Sequence, residues 1–116
     1  ALMAGCAVGA GVGVKLGDPS AMLDVDLVEK MLRCCEENHI PYQRDVMDRG
    51  GTDSSSINRS GCGIRVCGIS LVDRYAHSQS SVISWDDLQA ALELIDKYTA
   101  LHFEFPDPVL FERKPQ

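Results

Sequence analysis

Ile64-Arg65-Val66-Cys67-Gly68-Ile69-Ser70-Leu71-Val72 is the most apolar strand-like run in the chain. A strand of a parallel sheet covered on both faces reads as a near-continuous apolar run, so this stretch predicts a buried strand over 64–72. Ser70 and Asp73 mark where the apolar character fades, and Arg74-Tyr75-Ala76-His77-Ser78 follows. Ligands of open α/β sheets bind just beyond the carboxyl ends of the strands. His77 therefore stands at the position expected for chemistry.

The flanking segments supply the rest of such a domain. Val12, Val14 and Leu16 alternate with other residues and predict a strand over 12–16. Gly17-Asp18-Pro19-Ser20 is a turn. Asp26-Leu27-Val28-Glu29 matches a capping box with Asp in place of Ser or Thr. Val28, Met31, Leu32 and Cys35 then recur at helical spacing, with Glu29, Lys30, Arg33, Glu36 and Glu37 on the other face. This predicts a helix over 26–38, stopped by Asn38 and Pro41. Tyr42 to Met47 alternates as a short strand near an edge.

Gly50 and Gly51 allow positive φ and close backbone approach. Thr52 or Asp53 is placed to cap a short helix over 56–59, with Gly61 at its C′ position. A helix start after two glycines offers free N–H groups, a site for an anion or a carbonyl. Ser84-Trp85-Asp86-Asp87 is a second capping pattern, and Leu88, Leu92 and Ile95 give an apolar stripe for a helix over 85–98. The alternation of strands and helices signals an α/β domain with a mostly parallel sheet over residues 1–102. Pro106, Pro108 and Pro115 predict an irregular tail over 103–116.

Composition narrows the function. The chain has 116 residues, 45% hydrophobic and 24% charged, which suits one globular domain. A net charge of −6 with scattered Lys and Arg argues against a nucleic-acid binder. Five cysteines with one adjacent pair make a poor disulfide framework and point to reduced thiols in the cytoplasm. Residues 1–14 lack a basic start and are too short and glycine-rich to span a bilayer, so no membrane partner is expected. The apolar opening Ala1-Leu2-Met3-Ala4-Gly5-Cys6 suggests a piece of a larger protein. Gly9-Ala10-Gly11-Val12-Gly13 superficially matches a dinucleotide-binding turn, but the alternation that follows is that of a strand rather than of a helix.

Each candidate has a plainer reading beside the functional one. His77 is either a metal ligand or general base, or a surface histidine bonded to a turn. His39 follows a helix end and His102 begins the tail; both read as structural or solvated. Asp53 is a helix cap or a group orienting a site. Arg74 pairs with a substrate carboxylate, or only with Asp73 or Asp87. Asp86 and Asp87 read as first-turn helix charges.

Gly17-Asp18-Pro19-Ser20-Ala21-Met22, Ile40-Pro41-Tyr42-Gln43, Arg49-Gly50-Gly51-Thr52-Asp53 and Arg74-Tyr75-Ala76-His77-Ser78 occur in this order and spacing. Together they resemble the C-terminal part of the cocatalytic metallo-aminopeptidases of the glutamyl/tetrahedral aminopeptidase family, whose members are often labelled endoglucanases. The resemblance covers about Val12 to Tyr98. It implies a three-layer α-β-α, zinc-peptidase-like fold, of which this is the C-terminal portion. It implies two divalent metals, zinc or cobalt, a glutamate as general base and peptide substrates. His77 matches a metal ligand, and Gly50, Gly51, Thr52 and Asp53 match residues bordering the pocket. Ser54-Ser55 departs from the small residues common in relatives.

The family's other ligands and its glutamate match no segment here, so the resemblance implies incomplete metal binding and an inactive isolated chain. It also implies a homo-oligomer for the full-length protein, assembled through a β-rich insertion that this chain lacks. The alternative is a non-catalytic α/β fragment or interaction module. Thiol titration under denaturing, non-reducing conditions is expected to find all five cysteines free; a Cys62–Cys67 disulfide would contradict a reducing compartment.

Overall fold

The computed structural model describes residues 5–104. The elements in chain order are β1 (Val12–Gly17), α1 (Val25–Glu37), β2 (Tyr42–Val46), α2 (Ser54–Asn58), β3 (Ile69–Ser70), β4 (Asp73–Arg74), β5 (Val82–Ile83) and α3 (Trp85–Thr99). Residues 1–4, at the start of the expected opening segment, and residues 105–116, nearly all of the expected tail, lie outside the described residues.

β1 is the centre of a three-stranded sheet of order β2-β1-β3. It pairs with β2 in parallel, from Val12↔Tyr42 to Gly17↔Val46, and α1 makes the crossover between them. β2 is an edge of this sheet, as its alternation predicts. Val12 and Val14 point to one face and are fully buried. They meet Met31, Cys34 and Cys35 of α1, Ala90, Ala91 and Leu94 of α3, and Ile40 in one apolar cluster. Both long helices thus share one face of β1. Burying each large aliphatic side chain here contributes about 1.5–3 kcal/mol.

The strand expected over 64–72 is the main correction. Only Ile69–Ser70 forms a strand, and it runs antiparallel to β1, with Gly13↔Ser70 and Val14↔Ile69 as partners. Upstream, the Val66 carbonyl accepts from the Asp24 N–H at 2.9 Å and the Gly68 carbonyl from the Lys15 N–H at 3.0 Å. That backbone is spent partly on the approach to α1. Gly68 also lies over the Lys15 side chain, where an added Cβ would come within 3.1 Å of Lys15 Cδ. The described sheet is therefore mixed rather than mostly parallel, because a parallel partner would have to enter from the other end of β1.

Helix ends differ from expectation in instructive ways. Asp24, not Asp26, caps α1, its carboxylate accepting from the Leu27 N–H at 3.0 Å. Asn38 ends the helix as predicted, donating through Nδ2 to the Cys34 carbonyl at 2.8 Å. His39 takes the left-handed position after it, with φ 54°. At α3 the buried face is Asp87, Ala90, Ala91 and Leu94, while Leu92 and Ile95 are about half exposed. The larger side chains of α3 thus do not set its packing; small alanines let the helix approach β1 and α1.

Asp87 explains that orientation. Its carboxylate, 1% exposed, accepts from the Gly9 N–H at 2.7 Å and the Gly11 N–H at 2.9 Å. Gly9 and Gly11 have φ of 93° and 104°, where an L side chain is strained. At Gly11 a Cβ would fall 2.4 Å from the Pro41 carbonyl carbon. The glycine run is thus a tight turn feeding β1, clamped from α3.

Leu94→Ala is expected to lower the unfolding free energy by about 2–5 kcal/mol, and Leu92→Ala by less than about 1 kcal/mol. Urea denaturation of the two variants checks which stripe of α3 is the core.

Candidate functional site

The motif that carries His77 sits on a two-stranded hairpin, β4 paired with β5 through Asp73↔Ile83 and Arg74↔Val82. Tyr75 and His77 both adopt positive φ, 62° and 60°. Left-handed backbone costs an L residue roughly 1–2 kcal/mol, and such strain concentrates at functional sites. The turn is held from within. The Ser78 N–H donates to the Tyr75 carbonyl at 3.1 Å, and the Ser78 hydroxyl lies within hydrogen-bond distance of the Tyr75 and Ser80 carbonyls. The effect is to present His77 to solvent at the tip of the hairpin. Its side chain makes no hydrogen bond or ion pair among the described residues. Arg74 is exposed and pairs with neither Asp73 nor Asp87 among the described ion pairs.

Gly50, Gly51, Thr52 and Asp53 follow β2 at the carboxyl end of β1. There they are fastened to the Asp18–Ser20 turn. The Asp18 carboxylate accepts from the Ser20 N–H at 2.8 Å, from the Ser20 hydroxyl at 2.7 Å and from the Thr52 hydroxyl. The Thr52 N–H in turn donates to Ser20 Oγ at 3.3 Å. Gly51 is needed for the contact, since a Cβ there would lie 3.0 Å from Ser20 Cβ. The Ser20 hydroxyl first, then the Thr52 hydroxyl, hold the Asp18 carboxyl below the usual carboxylate range. Asp53 is exposed and stands at the N-cap of α2, but its side chain makes no capping bond. The N–H groups expected to be free are partly used: Ser55 donates to the Thr52 carbonyl at 3.1 Å and Ile57 to that of Asp53 at 3.1 Å.

Register separates the two motifs. β2 runs with β1, so the Gly50–Asp53 loop emerges where β1 ends. β3 runs against β1, so the chain leaves toward Arg74 and His77 where β1 begins. Arg74 and His77 share one hairpin; Gly50–Asp53 leave the sheet at its opposite end.

A third polar group links all three strands on the face of the sheet away from the helices. Lys15 Nζ donates to Asp45 Oδ2 at 2.9 Å, and the Ser70 hydroxyl donates to the same oxygen at 2.7 Å. Burial alone would raise the Asp45 carboxyl; hydrogen bonds from Lys15 and Ser70 outweigh it and hold the group below its ordinary range. Burial pushes the Cys35 thiol up to about 11, so it behaves as a small apolar core residue. No group of three or more His, Cys, Asp or Glu side chains among the described residues is arranged to hold a metal ion.

The sequence model of M42 glutamyl aminopeptidases matches residues 3–94. The chain belongs to the M42 glutamyl aminopeptidase family. A provisionally named aminopeptidase of Acetivibrio thermocellus is 31% identical over 87 residues, covering 75% of this chain and 26% of that protein. This M42 chain thus spans about a quarter of the length of the curated relatives it matches. Among solved structures, the aminopeptidase APDkam598 of the archaeon Desulfurococcus kamchatkensis superposes with a TM-score of 0.76 at 29% identity, over 80% of this chain and 27% of that one. The TET1 peptidase of Pyrococcus horikoshii, which can assemble into a tetrahedron or a large octahedral shell, gives 0.68 at 26%, over 84% and 28%.

Sequence reasoning read Asp18 as part of a turn and Asp87 as a first-turn helix charge, and missed the long-range bonds that each makes. The Asp18-Pro19-Ser20 spacing does signal a local side-chain-to-backbone turn. Thr52 as its partner, and Gly9 and Gly11 as partners of Asp87, are contacts that only folding makes.

Stability is expected to depend on Asp18 in acid. Its folded pKa is depressed, so its contribution is present above the unfolded carboxylate value of about 4 and is lost as pH falls through the folded value. Asp18→Asn is expected to flatten that part of the stability–pH curve between about pH 5 and pH 2, measured by urea midpoints.

Proposed function

We propose that this chain is the C-terminal part of a two-metal aminopeptidase that removes N-terminal residues from peptides. The observation that carries the reading is the M42 match over 3–94 together with a strained hairpin that presents an unpaired, exposed His77. On this reading His77 is one metal ligand. The described residues do not by themselves fit a metal centre, because His77 has no ligand companions among them and one imidazole does not hold a catalytic ion. The missing ligands and the general base belong to protein outside these residues. Two divalent ions, zinc or cobalt, would supply a Lewis acid and water of lowered pKa there.

Arg74 lies on the same hairpin as His77 and is assigned to the substrate side of the pocket. Gly50, Gly51, Thr52 and Asp53 are assigned there by family position. They leave the sheet at the carboxyl end of β1, whereas the chain leaves β3 toward His77 at its amino end. A three-layer α-β-α domain with a mostly parallel sheet is assigned to the complete protein, and homo-oligomeric assembly is assigned by analogy with the TET peptidases. The reading includes a cytoplasmic setting, supported by five free thiols. It includes no nucleic-acid partner, in line with the net charge of −6, and no membrane partner; no described helix is long and apolar enough to cross a bilayer.

A second reading, a non-catalytic α/β fragment or interaction module, is favoured by one observation: the lack of a metal-holding cluster among the described residues. An aminopeptidase assay with added Co²⁺ or Zn²⁺ separates the two. The isolated 116-residue chain is expected to be inactive. A full-length protein containing it is expected to be active and to lose activity by orders of magnitude in His77→Ala. Full activity of that variant would remove His77 from the site, and no activity in the full-length protein would favour the second reading.

A further inference from the structure

α3 carries two apolar stripes, and the core takes up one of them. Ala90, Ala91, Leu94 and Tyr98 belong to the cluster against β1 and α1. Trp85, Leu88, Leu92, Ile95 and Thr99 form a second stripe, at spacings that alternate between three and four. At about 100° per residue the second stripe lies roughly a third of a turn from the first. Trp85 is 69% exposed, Leu92 53% and Ile95 48%, and Leu88 is half-buried. Thr99 closes the stripe with its hydroxyl turned back onto the Ile95 carbonyl at 2.7 Å. At this end the stripe borders an apolar cleft of about 190 Å³, lined by Met31, Cys67, Ile69, Leu94, Ile95 and Thr99. The cleft has room for one large apolar side chain. Contiguous large apolar side chains on a surface mark a place of contact rather than chance exposure.

Three features select the occupant. Alternating spacings of three and four make the seam that a second α-helix fills, its side chains seated between these. Beside the seam, the polar face carries the exposed Asp86, Gln89, Glu93 and Asp96. That charge favours a helix with Lys or Arg along its flank, and it disfavours a second copy of α3, which would set acid against acid. The seam is also small, a few side chains against the roughly 20–30 residues a side of a free-standing interface. So small a contact is filled when its partner is tethered, because covalent continuity supplies a high effective concentration. This chain spans about a quarter of the length of the relatives it matches, so most of an M42 protein remains to provide such a helix. Within the chain's own tail, Pro106, Pro108 and Pro115 leave 109–114 as the longest run free of proline, shorter than the seam.

We propose that the Trp85–Thr99 seam seats an amphipathic helix with basic flanks, supplied by the part of the M42 protein that these 116 residues do not span. The inference rests on the proposed function only in taking this chain as one part of a longer protein.

The test uses that full-length protein with Leu92 replaced by the photo-cross-linker p-benzoylphenylalanine. Isotopically heavy and light chains are mixed before irradiation, and the joined peptides are sequenced by mass spectrometry. Cross-links are expected within one chain, to a segment outside the 116 residues that has apolar residues at three-and-four spacing with Lys or Arg beside them. Heavy-to-light cross-links mark a second copy, cross-links to 105–116 mark the tail, and no cross-link marks a bare seam; each overturns the proposal. Diazirine labelling of Trp85, Leu92 and Ile95 gives a second readout that does not depend on the residue 92 variant folding. Labelling is expected to fall severalfold from the isolated chain to the full-length protein. Glu93→Lys combined with Asp96→Lys changes two exposed positions outside the buried stripe and is expected to restore much of the labelling. Equal labelling in the isolated chain and the full-length protein overturns the docked helix, and an unchanged level in the charge-reversed variant overturns its basic flank. An aminopeptidase assay runs beside these measurements. A covered seam in a protein without peptidase activity removes the proposed function and leaves the docked helix standing; a bare seam in an active peptidase does the reverse.

Discussion

The buried Asp87 carboxylate is the interaction on which the arrangement turns. A carboxylate taken out of water is costly unless its lone pairs are met. Here two backbone N–H groups from a glycine turn meet them at 2.7 and 2.9 Å. The same two bonds satisfy donors that lie outside the β1–β2 ladder, and they hold α3 against the start of β1. Gly9 and Gly11 suit the role because each takes a positive φ, and Gly11 also leaves room for the Pro41 backbone.

From that anchor the molecule reads as a strand with two differently used ends. The amino end of β1 receives α3 and releases the His77 hairpin. The carboxyl end carries the Asp18–Ser20 turn and, fastened to it, the loop of Gly51 and Thr52. Between them the Lys15–Asp45–Ser70 group ties the three strands together on the face away from the helices. An ion pair of this kind is weak evidence for stability, since desolvation offsets the attraction. Its bonds to both neighbouring strands suit it to fixing register instead.

Family membership and local geometry meet at the hairpin. A histidine in left-handed backbone, with an equally strained Tyr75 two residues earlier, is an unfavourable arrangement that the internal Ser78 bonds sustain. Strain at a solvent-facing histidine is understandable if the histidine serves another group. The chain leaves β2 toward Gly50 and leaves β3 toward Arg74 at opposite ends of β1, a difference set by strand direction rather than by the motifs themselves.

The sequence by itself determined what depends on neighbours along the chain: the strands at 12–16 and 42–47, the extents of the two long helices, the stop at Asn38, and the motifs by which the chain resembles its family. Each rests on periodicity, turn residues or caps, which act over a few positions. Only the tertiary structure decided the direction of β3, because an apolar run looks the same whichever way it pairs. It also decided which stripe of α3 is buried: Leu88, Leu92 and Ile95 form the more apolar stripe, yet close approach to β1 selects Ala90, Ala91 and Leu94. And it decided that Asp87, a first-turn helix charge by local rules, is the clamp between α3 and β1, since its partners Gly9 and Gly11 lie far from it in the chain.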